Sequence, residues 1–182
     1  MNDPIELRVD KLHNRHPGLT QALGESYTEA ACVCWSRHHK PPVTVALKRS
    51  STDVLRVVNF LIPDDRTRAA HADEIDATEA GAYGVSLAAV EEIEGLVAVG
   101  RAETLTGADW YIAPSGTSIE DLESCIRLEV SGTNAGTSAD VNRRLKEKIT
   151  QALRGESNLP AIASVVGFKA LEVAISSVVE RT

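Results

Sequence analysis

The segment Ile126-Arg127-Leu128-Glu129-Val130-Ser131-Gly132 constrains this chain more than any other. Its residues alternate in character, and alternate side chains of a strand face opposite ways. Ile126, Leu128 and Val130 are therefore expected in a core, and Arg127, Glu129 and Ser131 on the other face. A carboxylate flanked by a guanidinium and a hydroxyl suits a metal or phosphate site. The plain alternative is a solvated edge strand carrying an ordinary salt bridge.

Length and charge narrow the classes. A chain of 182 residues fits one domain with a substantial core, so residues 1–182 are taken as a single domain. A net charge of -7 argues against indiscriminate duplex binding, which needs many Lys and Arg to displace counterions. Aromatic residues make up only 4%, so stacking platforms for single strands are scarce. No apolar run reaches about 18 residues, so no membrane span is expected. The start Met1-Asn2-Asp3-Pro4 lacks signal-peptide character, and three cysteines form no paired framework. Both features point to reduced thiols and a cytoplasmic location.

Gly18 to His39 reads as a helix, with Leu19, Leu23, Tyr27, Ala31 and Cys34 at helical spacing. Cys32, Cys34 and His38 invite a zinc reading. Two positions apart on a helix point about 160° from each other, so burial as small apolar residues is the better account. His38 and His39 are expected to cap the helix before Pro41-Pro42 stops it. Val43 to Lys48 alternates as a strand, and Val54 to Ile62 completes a hairpin expected to extend a sheet.

Residues 66 to 94 read as helical, with a break near Asp73. Glu79, Tyr83, Ser86, Leu87, Val90 and Ile93 fall on one stripe, which places the Glu79 carboxylate on the buried side. A buried carboxylate needs a partner or a metal; the alternative is a half-exposed acid in a first turn. Gly95 ends the helix. Leu96 to Val99 is a short strand, Thr104 to Gly107 a turn, and Ala108 to Ile112 the next strand, with Asp109 and Tyr111 opposite Trp110 and Ile112. After the central strand, Ser138 or Asp140 can cap a helix reaching Arg154. Its core stripe is Val141, Leu145, Ile149 and Ala152, with Arg144, Lys148 and Gln151 alongside, able to reach back to the sheet. Gly155 is expected to cap its end, and strands over Ala161–Phe168 and Leu171–Val179 close the chain.

From Asp76 onward the order helix, strand, strand, strand, helix, strand resembles the core of the restriction-endonuclease-like fold, the PD-(D/E)XK nuclease superfamily. Gly107-Ala108-Asp109-Trp110-Tyr111-Ile112 is similar to its Asp strand, Arg127 to Ser131 to its Glu-x-Lys strand, and Glu79 to its helical Glu. Residues 76–82 and 127–132 also resemble a family of bacterial proteins with no assigned activity. The resemblance implies an α/β fold with a nuclease-like core over residues 76–168. Residues 1–65 are then an added N-terminal helix and β-hairpin.

The same resemblance implies a metal-dependent nuclease. Glu79, Asp109, Glu129 and the Val130 carbonyl would hold Mg²⁺ or Mn²⁺, hard cations that take oxygen ligands. Ser131 stands where the superfamily has Lys, so Lys148, or Arg144, from the following helix is the candidate substitute. Arg127 would stabilise phosphate or hold Glu129, and Gln151 would orient phosphate or water. The expected partner is a nucleic acid, with a bacterial defence or toxin system as one setting. The alternative is a catalytically inactive nuclease-like protein that binds another protein or a second copy of itself.

Overall fold

The computed structural model describes residues 5–103 and 106–178. The chain is a mixed α/β protein with one seven-stranded sheet and four helices. In chain order these are α1 (Gln21–Ser36), β1 (Val43–Arg49), β2 (Thr52–Val58), α2 (Asp65–Ala70), α3 (Glu74–Glu94), β3 (Leu96–Arg101), β4 (Trp110–Pro114), β5 (Ile126–Thr133), α4 (Ser138–Leu153), β6 (Ala161–Gly167) and β7 (Glu172–Val178). The strand order is β2-β1-β7-β6-β5-β4-β3. β4 runs antiparallel to both β3 and β5, and β5 pairs with β6 in parallel. The hairpin β1–β2 joins the same sheet through parallel pairing of β1 with β7.

β5 is an interior strand with β4 and β6 on either side, so the edge-strand alternative falls. Leu128 and Val130 enter the main core, while Arg127 and Glu129 take the opposite face; all four are buried. That opposite face is covered by α4, whose Val141 packs with Val165 and Ala174.

α3 departs from a simple amphipathic helix. Every residue from Gly81 to Val90 is buried, because the sheet packs on one side of it and α1 on another. An uncharged run rich in Ala and Gly tolerates this; a helix apolar all round is a buried helix. Glu79 lies just before that run and is exposed, contrary to the buried position expected from the stripe. Gly132 makes the crossing of α3 over β5 close: a Cβ there would sit 2.9 Å from Ala82 Cβ and from the Thr78 carbonyl oxygen. Only glycine removes that obstacle, and the first turns of α3 thereby reach the end of β5.

Helix ends differ from the expected caps. Thr137, rather than Ser138, caps α4, in a capping box with Asp140. Gly155 is not left-handed. It is glycine because the Thr106 carbonyl oxygen would lie 2.3 Å from any Cβ. Arg37 ends α1, and the His38 Nε2 bonds Asn134 Oδ1 at 3.2 Å instead of capping the helix. Of the expected turn Thr104–Gly107, the first two residues lie outside the described residues, as does Val179 of the closing strand.

The N-terminal segment touches both outer strands. Leu7 N–H donates to the Val57 carbonyl on β2 at 2.8 Å, and Gly18 N–H donates to the Ala98 carbonyl on β3 at 2.9 Å. Fully buried His16 accepts the Ala98 N–H at its Nδ1, 3.0 Å away. Its proton therefore sits on Nε2, which lies 3.2 Å from Glu91 Oε2. Burial, opposed by Glu91, holds His16 below its ordinary value of 6.5. The unfolded chain thus binds a proton that the folded chain refuses, and stability falls as pH drops below about 6.5. Urea midpoints measured between pH 7.5 and pH 5 should fall, and His16→Asn, which keeps an acceptor for Ala98, should flatten that slope. An unchanged slope would exclude His16 as its source.

Among the described residues no helix is long and apolar enough to cross a membrane. Cys32, Cys34 and Cys125 are free and buried. Burial pushes the Cys34 thiol up to about 11 and raises Cys32 as well, so both stay protonated, which suits packing rather than zinc binding.

Candidate functional site

A cleft of about 920 Å³ opens at the start of β4 and the end of β5, between the first turns of α3 and the inner side of α4. Glu79, Asp109, Glu129, Val130, Ser131, Lys148 and Gln151 all line it. Of the site residues expected from sequence, only Arg127 does not.

Asp109 immediately precedes β4. The β4–β5 register pairs Trp110 with Leu128, so one step further places Asp109 opposite Glu129. The Val130 N–H donates to Asp109 Oδ2 at 2.8 Å, which locks the carboxylate to β5. The other oxygen, Oδ1, lies 2.9 Å from the Tyr83 hydroxyl. That hydroxyl is also 2.7 Å from Glu79 Oε1 and accepts from Arg101 at 3.1 Å. A phenol carries one proton, so it donates to one of these two carboxylates at a time. Burial first, then the Asp109 charge, push Tyr83 upward against the opposing Arg101, and the phenol stays protonated. Arg101 lies over both the Tyr83 and Trp110 rings, 4.5 and 5.0 Å from their centroids.

Glu129 is 3% exposed. Its Oε1 accepts from Lys148 Nζ at 2.8 Å, and the same ammonium donates to Gln151 Oε1 at 3.0 Å. Lys148 comes from α4, a helix held over this face by Val141. Burial raises the Glu129 carboxyl above its ordinary value, and Asp109 adds to the rise; Lys148 and Arg127 pull the other way. Ser131 Oγ accepts from Arg144 at 3.2 Å. Lys148 therefore reaches the Glu129 carboxylate, and Arg144 reaches the Ser131 hydroxyl.

Arg127 was expected to meet phosphate or Glu129. Instead its guanidinium donates to the carbonyls of Leu159, Thr106 and Ala152, at 3.0, 2.6 and 3.1 Å. It points to the end of α4 rather than into the cleft, because three carbonyls left over at a helix end and two loops converge there.

Several cleft residues carried no sequence signal. Glu103 and Arg154 lie beyond any motif, and Asn134 follows β5 in the loop before α4. Tyr83 was legible, being four residues after Glu79 on one helix face. The carboxylates of the cleft, Glu74, Glu79, Glu103, Asp109 and Glu129, outnumber its cations, Arg144, Lys148 and Arg154. Among the described residues no three His, Cys, Asp or Glu side chains converge closely enough to form a metal cage by themselves.

Comparison of the chain with family models, with curated proteins and with solved structures found no match to any of them.

Proposed function

We propose that the protein is a metal-dependent nuclease with a restriction-endonuclease-like core. One observation carries this reading: Asp109, Glu129 and Lys148 meet in one cleft, with Lys148 2.8 Å from Glu129 although it comes from α4. The order α3-β3-β4-β5-α4-β6 supports it, as does the lysine's arrival from a helix where Ser131 leaves β5 without one.

The donor set suits a hard cation in kind. It consists of carboxylates and a backbone carbonyl, and it is short of positive charge: burial and Asp109 both raise Glu129, and one phenol proton serves two carboxylates. Asp109, Glu129 and the Val130 carbonyl would hold Mg²⁺ or Mn²⁺ with waters completing the shell, and Glu79 would join from the rim. When bound, such an ion polarises phosphate and lowers the pKa of its water. Lys148 orients the nucleophile and donates to developing negative charge. Gln151 holds the Lys148 ammonium in place. Arg127 acts outside the cleft, as a clamp.

Thermal unfolding with and without Mg²⁺ or Mn²⁺ tests the reading, since a ligand of the folded state alone raises its stability by mass action. A rise of a few degrees is expected in the wild type and not in Glu129→Ala. Metal-dependent cleavage of DNA or RNA oligonucleotides should accompany it. No rise and no cleavage in a folded protein would sink it.

A second reading is an inactive nuclease-like protein that serves as an assembly subunit. It is favoured by the closed circuit in which both Asp109 oxygens and the Lys148 ammonium already have protein partners. Binding of a protein partner without any metal response would select it.

A further inference from the structure

Two guanidinium groups in the cleft are left over by the catalytic reading. Arg144, Lys148, Gln151 and Arg154 line the cleft at intervals of four, three and three residues along α4 and its cap. At 1.5 Å per residue this row runs about 15 Å. Lys148, in its middle, is spent on Glu129 and Gln151. Arg144 bonds only the neutral Ser131 hydroxyl. Arg154, which is exposed, has no side-chain partner among the described residues. Neither arginine forms an ion pair there, although the cleft is rich in carboxylates. Neighbouring Arg143, on the outer side of the same helix, is paired with both Asp140 and Glu147. The helix thus neutralises the arginine that faces away and leaves positive the two that line the cleft.

We infer that Arg144 and Arg154 bind phosphates on either side of the Glu129–Lys148 centre, so that a nucleic-acid backbone lies along α4. The substrate class rests on the nuclease reading; the placement rests on the row itself. A duplex strand carries one phosphate per about 3.4 Å of axis, so a row of about 15 Å spans about four phosphates. The guanidinium fork suits phosphate oxygens, which it meets in paired hydrogen bonds. Bases find no aromatic surface to stack on. Every Trp, Tyr and Phe of the chain is buried, so none offers a stacking surface. Binding is therefore carried by the backbone and is indifferent to sequence. Because carboxylates outnumber cations in the cleft, binding also requires a divalent cation.

The test is fluorescence anisotropy of labelled single-stranded and duplex oligonucleotides in Ca²⁺, which takes the same oxygen ligands. Arg144→Gln and Arg154→Gln are each expected to weaken binding about tenfold, the worth of one charge-assisted hydrogen-bond pair. The double variant should reduce the slope of log affinity against log salt by about 1.8 for duplex or about 1.4 for single strand. Arg143→Gln should change neither quantity, and thermal unfolding should confirm that all variants fold. A double variant with wild-type affinity and slope overturns the inference, as does a wild type that binds neither oligonucleotide. Arginine-dependent binding without cleavage in Mg²⁺ or Mn²⁺ would keep the inference and remove the nuclease reading. Cleavage undisturbed by the double variant would do the reverse.

Discussion

Arg127→Ala is expected to destabilise the protein by about 3–5 kcal/mol, more than any substitution at the cleft itself. The size follows from three charge-assisted hydrogen bonds lost together and from buried carbonyls left without donors. Arg127 is 5% exposed, so water does not readily replace it. Its three acceptors belong to distant parts of the chain: Thr106 before β4, Ala152 in the last turn of α4, and Leu159 before β6. The guanidinium thus ties the Asp109 loop to the helix that carries Lys148. Gly155 belongs to the same joint, since a Cβ there would meet the Thr106 carbonyl oxygen at 2.3 Å and the Arg127 guanidinium at 2.9 Å. Urea unfolding should show a lower midpoint at an unchanged slope. Arg127→Lys should recover little, because one ammonium cannot span three carbonyls in a fork. A variant as stable as the wild type would show that those carbonyls find other donors and that Arg127 is not the clamp.

That joint also shows where sequence reasoning reaches its limit. Parity along β5 correctly separates Leu128 and Val130 from Arg127 and Glu129, because a strand has a two-residue period and both faces of this one are buried. The same parity cannot separate Arg127 from Glu129. The two share a face but lie two residues apart, enough to put one in the cleft and the other under the end of α4. Helical spacing likewise placed Lys148 and Gln151 beside the core stripe of α4, and the structure brings Lys148 to Glu129 and Gln151 to Lys148. The helical stripe put Glu79 on a buried side because a stripe assumes one buried side, and the exposed alternative is the one the structure shows. α3 has more than one neighbour, so its burial follows the uncharged run from Gly81 to Val90 and stops short of Glu79. Arg101 and Arg154 were not legible at all. Arg101 reaches the site through the pairing of β3 with β4, which leaves no periodic trace in the chain, and Arg154 sits at the cap of α4, one step beyond the helical row of Lys148 and Gln151.

Glu129→Gln should separate a functional carboxylate from a structural one by opposite signs in two measurements. On the proposed reading, the substitution removes a metal ligand and the partner of Lys148, so activity should fall by at least about 100-fold and the Mg²⁺-dependent rise in melting temperature should vanish. Stability should move the other way. Burial raises the Glu129 carboxyl above its ordinary value of 4.5, so the folded protein holds that proton more tightly than the unfolded chain. Such a group weakens the folded state once the pH exceeds the unfolded value. An amide of the same shape carries no charge to bury, while Gln151 still accepts from Lys148. At pH 7 without metal, the variant should therefore melt no lower than the wild type, and the difference should disappear as the pH falls below about 4.5. A protein that gains stability while losing chemistry holds its carboxylate for function, as sites kept under electrostatic strain do. Lower stability with cleavage retained would instead make the Glu129–Lys148 contact an ordinary buried ion pair, and the cleft would lose the residue on which its metal chemistry depends.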